Sequence, residues 1–193
     1  MPSTSKTFYN KDKKLEETQL NENVTSNKKR FPWLAFAVFS VVLIVSILIN
    51  FSTLDISAEP EVAELFEMNP GVQSFGLIFG AVIGLVGGLL GVGVQYLVTK
   101  FPTQWIAKDT HVYKNEIWSA LFYSSAIGII LELLATVLNF QGNIMFSILV
   151  SIFTTALFLF FYISGENKPQ YIKKAIIIVS VVIASIDIFF YIA

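Results

Sequence analysis

Five long apolar runs occupy most of the chain from residue 33 onward. They cover residues 33–51, 75–98, 117–138, 144–163 and 175–192. A helix rises about 1.5 Å per residue, so each run is about long enough to cross a hydrocarbon core of ~30 Å. The pattern therefore predicts an all-α, polytopic membrane protein, built as a bundle of five transmembrane helices.

The basic residues all fall on one side of the topology that these runs imply. Of the thirteen Lys and Arg residues, seven precede the first run, three lie between the second and third, and three lie between the fourth and fifth. Basic residues collect on the cytoplasmic side of a membrane. The distribution therefore predicts a cytoplasmic N-terminus and an extracellular C-terminus.

Composition divides the chain into two parts. Residues 1–30 are polar and mixed in charge, and they contain too few apolar side chains to form a core, so we expect a disordered cytoplasmic tail. Residues 31–193 form the predicted five-span membrane domain. Charged residues make up only 14% of the whole chain, against about 25% in an ordinary soluble domain.

Several kinds of chemistry are disfavoured by what the chain lacks. It has no cysteine, which excludes disulfides, thiolate metal sites and cysteine nucleophiles, and its one histidine, His111, lies in a predicted cytoplasmic loop. The Gly-x-Gly pieces lie inside an apolar run rather than after a strand, which argues against nucleotide binding. We therefore expect a non-enzymatic protein with no catalytic, cofactor-binding or metal-binding residues and no nucleic-acid partner.

Glycine is concentrated in the second run, which holds seven of the eleven glycines. Gly76, Gly80, Gly84 and Gly88 recur at every fourth position and so form a stripe along one helix face. Small residues in such a stripe let another helix approach closely. The stripe predicts helix packing, either inside this chain or against a partner membrane protein or a second copy.

Two acidic residues lie well inside the predicted spans, Glu132 in the third and Asp187 in the fifth. From the helix rise, both lie about 7–9 Å inside the outer boundary, at nearly the same depth. No basic residue is expected at that level, and intramembrane acids are candidates for function. We predict an intramembrane polar site formed by Glu132, Asp187, Ser147 and Ser151. The alternative is a structural role, in which each acid bonds a nearby polar side chain or reaches water at the outer rim.

The order of features resembles the bacterial branch of the Yip family of five-span membrane proteins. The resemblance is carried by the glycine-rich second span, by Lys100 and Phe101, and by residues 113–123 (Tyr-Lys-Asn-Glu-Ile-Trp-Ser-Ala-Leu-Phe-Tyr). It implies a bacterial plasma-membrane protein with the topology predicted above. The chain lacks the Asp-Leu-Tyr-Gly-Pro signature of the eukaryotic members, so their binding of small GTPases is not implied here.

Three functions remain open on these grounds. The leading expectation is a structural or accessory protein that acts with a membrane partner, and the resemblance itself implies no particular activity. The two intramembrane acids favour a small transporter or permease subunit with an outward-facing proton or cation site. The loop at residues 52–74, which is acidic and has no basic residue, favours an immunity or envelope-stress protein.

Overall fold

The computed structural model describes residues 31–53, 70–138, 140, 142–165 and 167–192. Nearly all of these residues are helical, and no strand occurs among them. The five helices are α1 (Trp33–Thr53), α2 (Pro70–Ala107), α3 (Lys114–Val137), α4 (Ile144–Ser164) and α5 (Gln170–Ile192). All five are long and apolar enough to cross a membrane, which confirms the predicted fold class. The predicted tail at residues 1–30 and most of the acidic loop lie outside the described residues.

The helix starts follow from local sequence. Proline precedes or begins three of the helices: Pro32 stands before α1, Pro70 opens α2 and Pro169 stands before α5. Proline suits this place because the first helical residues have no intrahelical acceptor for an N–H. Asn143 caps α4, and its side-chain oxygen accepts a hydrogen bond from the N–H three residues on, at 3.3 Å.

Helix α2 is longer than the sequence predicts, with 38 residues. The predicted second span ends at residue 98, whereas the helix continues to Ala107 through Pro102. Proline removes one backbone hydrogen bond inside a helix. Thr103 follows this proline, and its hydroxyl donates a hydrogen bond to the Thr99 carbonyl at 2.6 Å. This side-chain bond supports the helical turn that the proline interrupts.

The helices form a ring with one cross-contact. Helix α3 contacts α1, α2 and α4, and the ring closes because α5 contacts both α4 and α2. Over the described residues, α3 has no contact with α5, and α2 has none with α4. A space therefore remains between α2, α3, α4 and α5. We call the end of the bundle with Lys108, Lys114 and Lys168 the basic end, and the end with Gly142 the turn end.

An aromatic cluster joins α1, α2 and α3. Phe122 of α3 contacts Phe36 and Phe39 of α1, with ring centroids 5.6 and 5.5 Å apart. Trp118 stacks on Tyr96 of α2 at 4.2 Å and on Phe122 at 5.4 Å. Aromatic pairs of this kind stabilise by about 0.5–1.5 kcal/mol each beyond the area that they bury. The cluster holds this side of the bundle together.

Only part of the glycine stripe packs within the described chain. A Cβ atom at Gly84 would lie 2.6 Å from Cδ1 of Ile47, and one at Gly88 would collide with Leu43, so α1 crosses α2 there. A Cβ at Gly76 or Gly80 would meet no described atom within 4 Å. Packing inside this chain, one of the two predicted uses of the stripe, therefore occurs at Gly84 and Gly88, and no described residue packs against Gly76 or Gly80.

A buried lysine fastens the basic end. The Lys168 ammonium forms an ion pair with Glu116 in the first turn of α3, and the Lys168 side chain is fully enclosed. It also lies 4.5 Å from the ring centroid of Tyr162, whose hydroxyl donates to the Val112 carbonyl at 3.1 Å. These contacts join the loop before α5 to the start of α3 and to the end of α4.

Candidate functional site

A cavity of about 270 Å³ lies in the space between α2, α3, α4 and α5. Eleven of its seventeen lining residues are polar, although the helices that enclose it are strongly apolar. Two of these are the acids Glu132 and Asp187, and three others are Gln95, Ser151 and Tyr191. The remaining polar residues are hydroxyl residues: Thr99, Ser124, Ser125, Thr154, Thr155 and Ser180. We call this space the central cavity.

Helical spacing explains why these side chains meet. On α3, Ser124, Gly128 and Glu132 recur at every fourth position, so they share one face. On α5, Ser180 and Asp187 are seven residues apart, which is close to two turns. Each of the four helices therefore carries a polar stripe, and the ring arrangement turns the four stripes toward one space.

Asp187 is held across the cavity by α4. The Ser151 hydroxyl donates a hydrogen bond to Oδ2 of Asp187 at 2.6 Å. A short bond to a carboxylate is stronger than one between neutral groups. The structure therefore brings Ser151 and Asp187 together, as two members of the predicted polar site.

Glu132 is less constrained than Asp187. Its carboxyl makes no hydrogen bond to any residue within the described ranges, and the residue remains exposed. The predicted bond from Ser147 is absent, because the Ser147 hydroxyl donates to the Asn143 carbonyl at 3.4 Å. The other predicted donor, Ser151, is already used by Asp187. Glu132 is thus available to a ligand in a way that Asp187 is not.

A second cavity, of about 310 Å³, lies toward the turn end. Ser46 and Asn50 of α1, Ser147 of α4 and Gly142 line it. Glu132, Val150 and Tyr191 line this turn-end cavity as well as the central cavity, so the two spaces adjoin at these residues. The predicted residue Ser147 therefore belongs to the approach and not to the central cavity, and Glu132 stands where the two meet.

Three hydroxyl residues of the central cavity wall have their protons directed at other protein groups. The Ser124 hydroxyl donates to the Leu121 carbonyl at 3.2 Å, and the Thr154 hydroxyl donates to the Val150 carbonyl at 2.9 Å. With the Ser151 proton directed at Asp187, these three hydroxyls present only oxygen lone pairs to the cavity. Among the described residues, no Lys, Arg or His lines either cavity. The space therefore suits positively charged groups and hydrogen-bond donors.

Ser180 differs from the other hydroxyl residues of the wall. It is 4% exposed, and its hydroxyl has no hydrogen-bond partner among the described residues. A buried polar group without a partner costs about 1–3 kcal/mol, so it is unusual in a folded protein. Ser180 is thus a group that a bound molecule would satisfy.

Sequence reasoning missed Gln95, Ser124, Thr154 and Ser180. Hydroxyl residues occur in many membrane helices, where they often bond their own backbone, so their presence in a run is a weak signal. The spacing of Ser124 and Glu132, or of Ser180 and Asp187, is the signal that was available. Counting back along each helix from its acid by helical turns places Ser124 on the face of Glu132 and Ser180 on the face of Asp187.

The described residues offer no group of three or more His, Asp or Glu side chains able to hold a metal ion. Comparisons with protein-family models, with curated proteins and with solved structures each found no match to this chain.

Proposed function

We propose that this protein is a small transporter or permease subunit that takes a proton or a cation into the central cavity. The observation that carries the proposal is a polar cavity between four apolar helices, lined by two carboxyl residues and, among the described residues, by no basic one. Intramembrane acids are costly, and they commonly mark ion pathways. A purely structural role would need no cavity around them.

The two acids have different parts in this proposal. Glu132 has no described hydrogen-bond partner and lies where the cavities adjoin, so it is the first group that a cation from the turn end would meet. Asp187 is held by Ser151 and forms the fixed side of the site. A cation that enters between the two acids loses its hydrating water molecules, and carboxylate and hydroxyl oxygens of the protein take their place.

The basic end is the closed side in this structure. Phe158 lines the central cavity on α4, and Tyr162, one turn farther along, is fully buried against the Lys168 cluster. Passage toward the basic end would require this packing to open. Access from the turn end and closure at the basic end are the arrangement expected of one state of an alternating-access carrier.

The orientation follows from the charge distribution. The proposal places the protein in a bacterial plasma membrane, with the N-terminus and the basic end in the cytoplasm and the C-terminus outside. The turn-end cavity then faces the extracellular side. Cation entry from outside is therefore the direction that the proposal predicts.

The test is ion flux in proteoliposomes that contain the full chain. We expect wild-type protein to carry a proton or monovalent-cation flux that Glu132→Gln reduces to the level of empty vesicles, because the amide keeps the shape and removes the ionisable group. Lys174→Gln is the control, since Lys174 is exposed near the start of α5 and lines neither cavity. Equal flux from wild type and Glu132→Gln would contradict the proposal.

A second candidate is the structural or accessory role that the sequence analysis expects. One observation favours it: a Cβ at Gly76, Gly80, Gly87 or Gly91 would meet no described atom within 4 Å, so this part of α2 has room for another helix. Because the chain has no cysteine, single cysteines are clean reporters, and Gly80→Cys is compared with Val92→Cys at a buried position of the same helix. Crosslinking in membranes at residue 80 and not at residue 92 would support a partner helix, and no crosslinking at residue 80 would count against it.

A further inference from the structure

We propose that the central cavity binds a short linear primary ammonium compound with a hydroxyl at its other end, an amino alcohol of three or four carbons. The ammonium lies between Asp187 and Glu132, and the hydroxyl bonds Ser180. This inference rests on the proposed function, because it names the class of cation that the cavity takes.

The acceptor-rich wall selects the charged end. An ammonium group has three N–H donors and no acceptor. Around Asp187 it would meet carboxylate oxygens and the lone pairs of Ser151 and Thr154, whose own protons are directed elsewhere. A quaternary ammonium has the same charge but no N–H, so it would leave these acceptors unsatisfied.

The unpartnered hydroxyl of Ser180 selects the other end. It lies on the same helix as Asp187 and lines the same cavity, and it is the only buried side-chain group among the described cavity residues that lacks a partner. The molecule that binds there must offer a polar atom, and a hydroxyl can both donate to Ser180 and accept from it.

The distance between these groups limits the length of the molecule. Ser180 and Asp187 are seven residues apart, or about 10 Å along α5. Two hydrogen bonds of about 3 Å each leave about 5 Å between the ligand's nitrogen and oxygen. At about 1.2 Å of extended chain per bond, that span corresponds to about three or four carbons.

The middle of this stretch is apolar, as an alkyl chain requires. Ile183 lies between Ser180 and Asp187 on α5 and lines the cavity, and Leu121 and Phe158 line it from α3 and α4. A cavity of about 270 Å³ is far larger than a bare ion, and one water molecule occupies about 30 Å³ in the liquid. The site is therefore sized for a small organic cation.

The experiment measures binding to the purified full chain in mild detergent, from the shift in thermal unfolding at matched ionic strength. The probes are 4-aminobutan-1-ol, n-butylamine, tetramethylammonium chloride and potassium chloride. We expect the amino alcohol to bind most tightly and n-butylamine more weakly. Tetramethylammonium and potassium should produce no saturable shift.

Variants assign each end of the probe. Ser180→Ala should weaken binding of 4-aminobutan-1-ol roughly 3–10-fold, the usual worth of one hydrogen bond, and leave n-butylamine unchanged. Because the Ser180 hydroxyl has no partner, its removal should not unfold the protein. Asp187→Asn should weaken both amines. Ser185→Ala is the control, since Ser185 is exposed and bonds its own helix at Val181.

Several outcomes would overturn the inference. Equal shifts from tetramethylammonium and 4-aminobutan-1-ol would show a response to charge alone. An equal effect of Ser180→Ala on both amines, or no effect on either, would remove Ser180 from the site. If neither amine binds while a Glu132-dependent cation flux persists, the ligand class is wrong and the proposed function stands. If the amino alcohol binds and no flux is found, the ligand class stands and transport fails.

Discussion

Two acids on different helices line one cavity, yet their surroundings give them different properties. Asp187 accepts a short bond from Ser151, whereas Glu132 has no hydrogen-bond partner in the described part of the chain. In an apolar bundle, an ionisable side chain is conspicuous in the sequence, and both acids could be predicted for that reason. Ser151 was predicted with them, but Ser124, Thr154 and Ser180 were not, because serine and threonine are common in membrane helices.

The charge of Lys168 stabilises the fold, because its ammonium is buried in an ion pair with Glu116. We expect Lys168→Met to destabilise the protein by about 3 kcal/mol, because it removes the cation from a buried ion pair and leaves the Glu116 carboxylate without it. Adding Glu116→Gln should restore much of the loss. The measurement is thermal or denaturant unfolding of both variants in detergent. If Lys168→Met alone were as stable as wild type, the ion pair would not be what stabilises the basic end.

Helices α1 and α2 are positioned by contacts that the glycine stripe permits over only part of its length. Ile47 and Leu43 fill the space beside Gly84 and Gly88, while Gly76 and Gly80 are open. The repeat in sequence is regular, but two crossing helices approach closely over a few turns only. Where α1 crosses α2 therefore decides which glycines matter, and the stripe alone does not contain that information.

Adjacent glycines allow a matched test of this crossing. Gly88→Ile should separate α1 from α2 and cost about 1–3 kcal/mol, since the new side chain would collide with Leu43. Gly87→Ile, one residue away, meets no described atom and should leave the unfolding midpoint nearly unchanged. Unfolding in detergent measures both. Loss of stability in Gly87→Ile alone would place the close contact on the other face of α2.

The loop between α2 and α3 is fastened to α5 by Asp109. Its carboxylate accepts from the His111 N–H at 2.8 Å and from the Tyr171 hydroxyl at 2.8 Å. Those bonds, and the nearby His111 ring, lower the pKa of Asp109 below its usual range. The lowered pKa means that folding favours the charged carboxylate. Its stabilising effect is therefore fully present above the pKa of Asp109 in the unfolded chain, and it is lost as the pH falls through the lower pKa of Asp109 in the folded protein.

The resulting prediction concerns acid conditions only. In wild type, protection of the loop at residues 108–112 against hydrogen exchange should fall as the pH drops below about 4, the ordinary pKa of an aspartate. Asp109→Asn should remove this pH dependence, with low protection at every pH. Tyr171→Phe should weaken it. A loop whose exchange has the same pH dependence in wild type and Asp109→Asn would contradict the role given to this carboxylate.

The whole molecule is arranged so that lysines gather at one end and the acid-lined cavities open away from them. All six lysines from residue 100 onward lie at or near the basic end, and none lines a cavity. This separation leaves the field in the central cavity uncompensated by any nearby cation. It is a property of the assembled bundle, since the acids and lysines alternate along the chain.

Sidedness is testable because the chain has no native cysteine. A cysteine at Gln141, in the connection between α3 and α4, should react with an impermeant thiol reagent added to intact cells. One at Thr110 or Asn167 should react only after the membrane is opened. Labelling of Thr110→Cys in intact cells would reverse the proposed orientation and turn the acid-lined cavities toward the cytoplasm.

The five apolar runs, the residues that interrupt them and the grouping of the basic residues between them can all be read from the sequence. Which helix faces meet depends on how the bundle packs, including the α2–α5 contact that closes the ring around the central cavity. The physical reason is that lipid and the protein interior are equally apolar, so apolar periodicity does not reveal which face of a membrane helix is buried. A soluble helix shows its buried face as an apolar stripe over its whole length, whereas these helices are apolar on all sides outside the polar stripes that line the cavities. Its spacing from Asp187 was the one sequence signal for Ser180. Gln95 and the partners of Gly84 and Gly88 could be found only after the helices were placed.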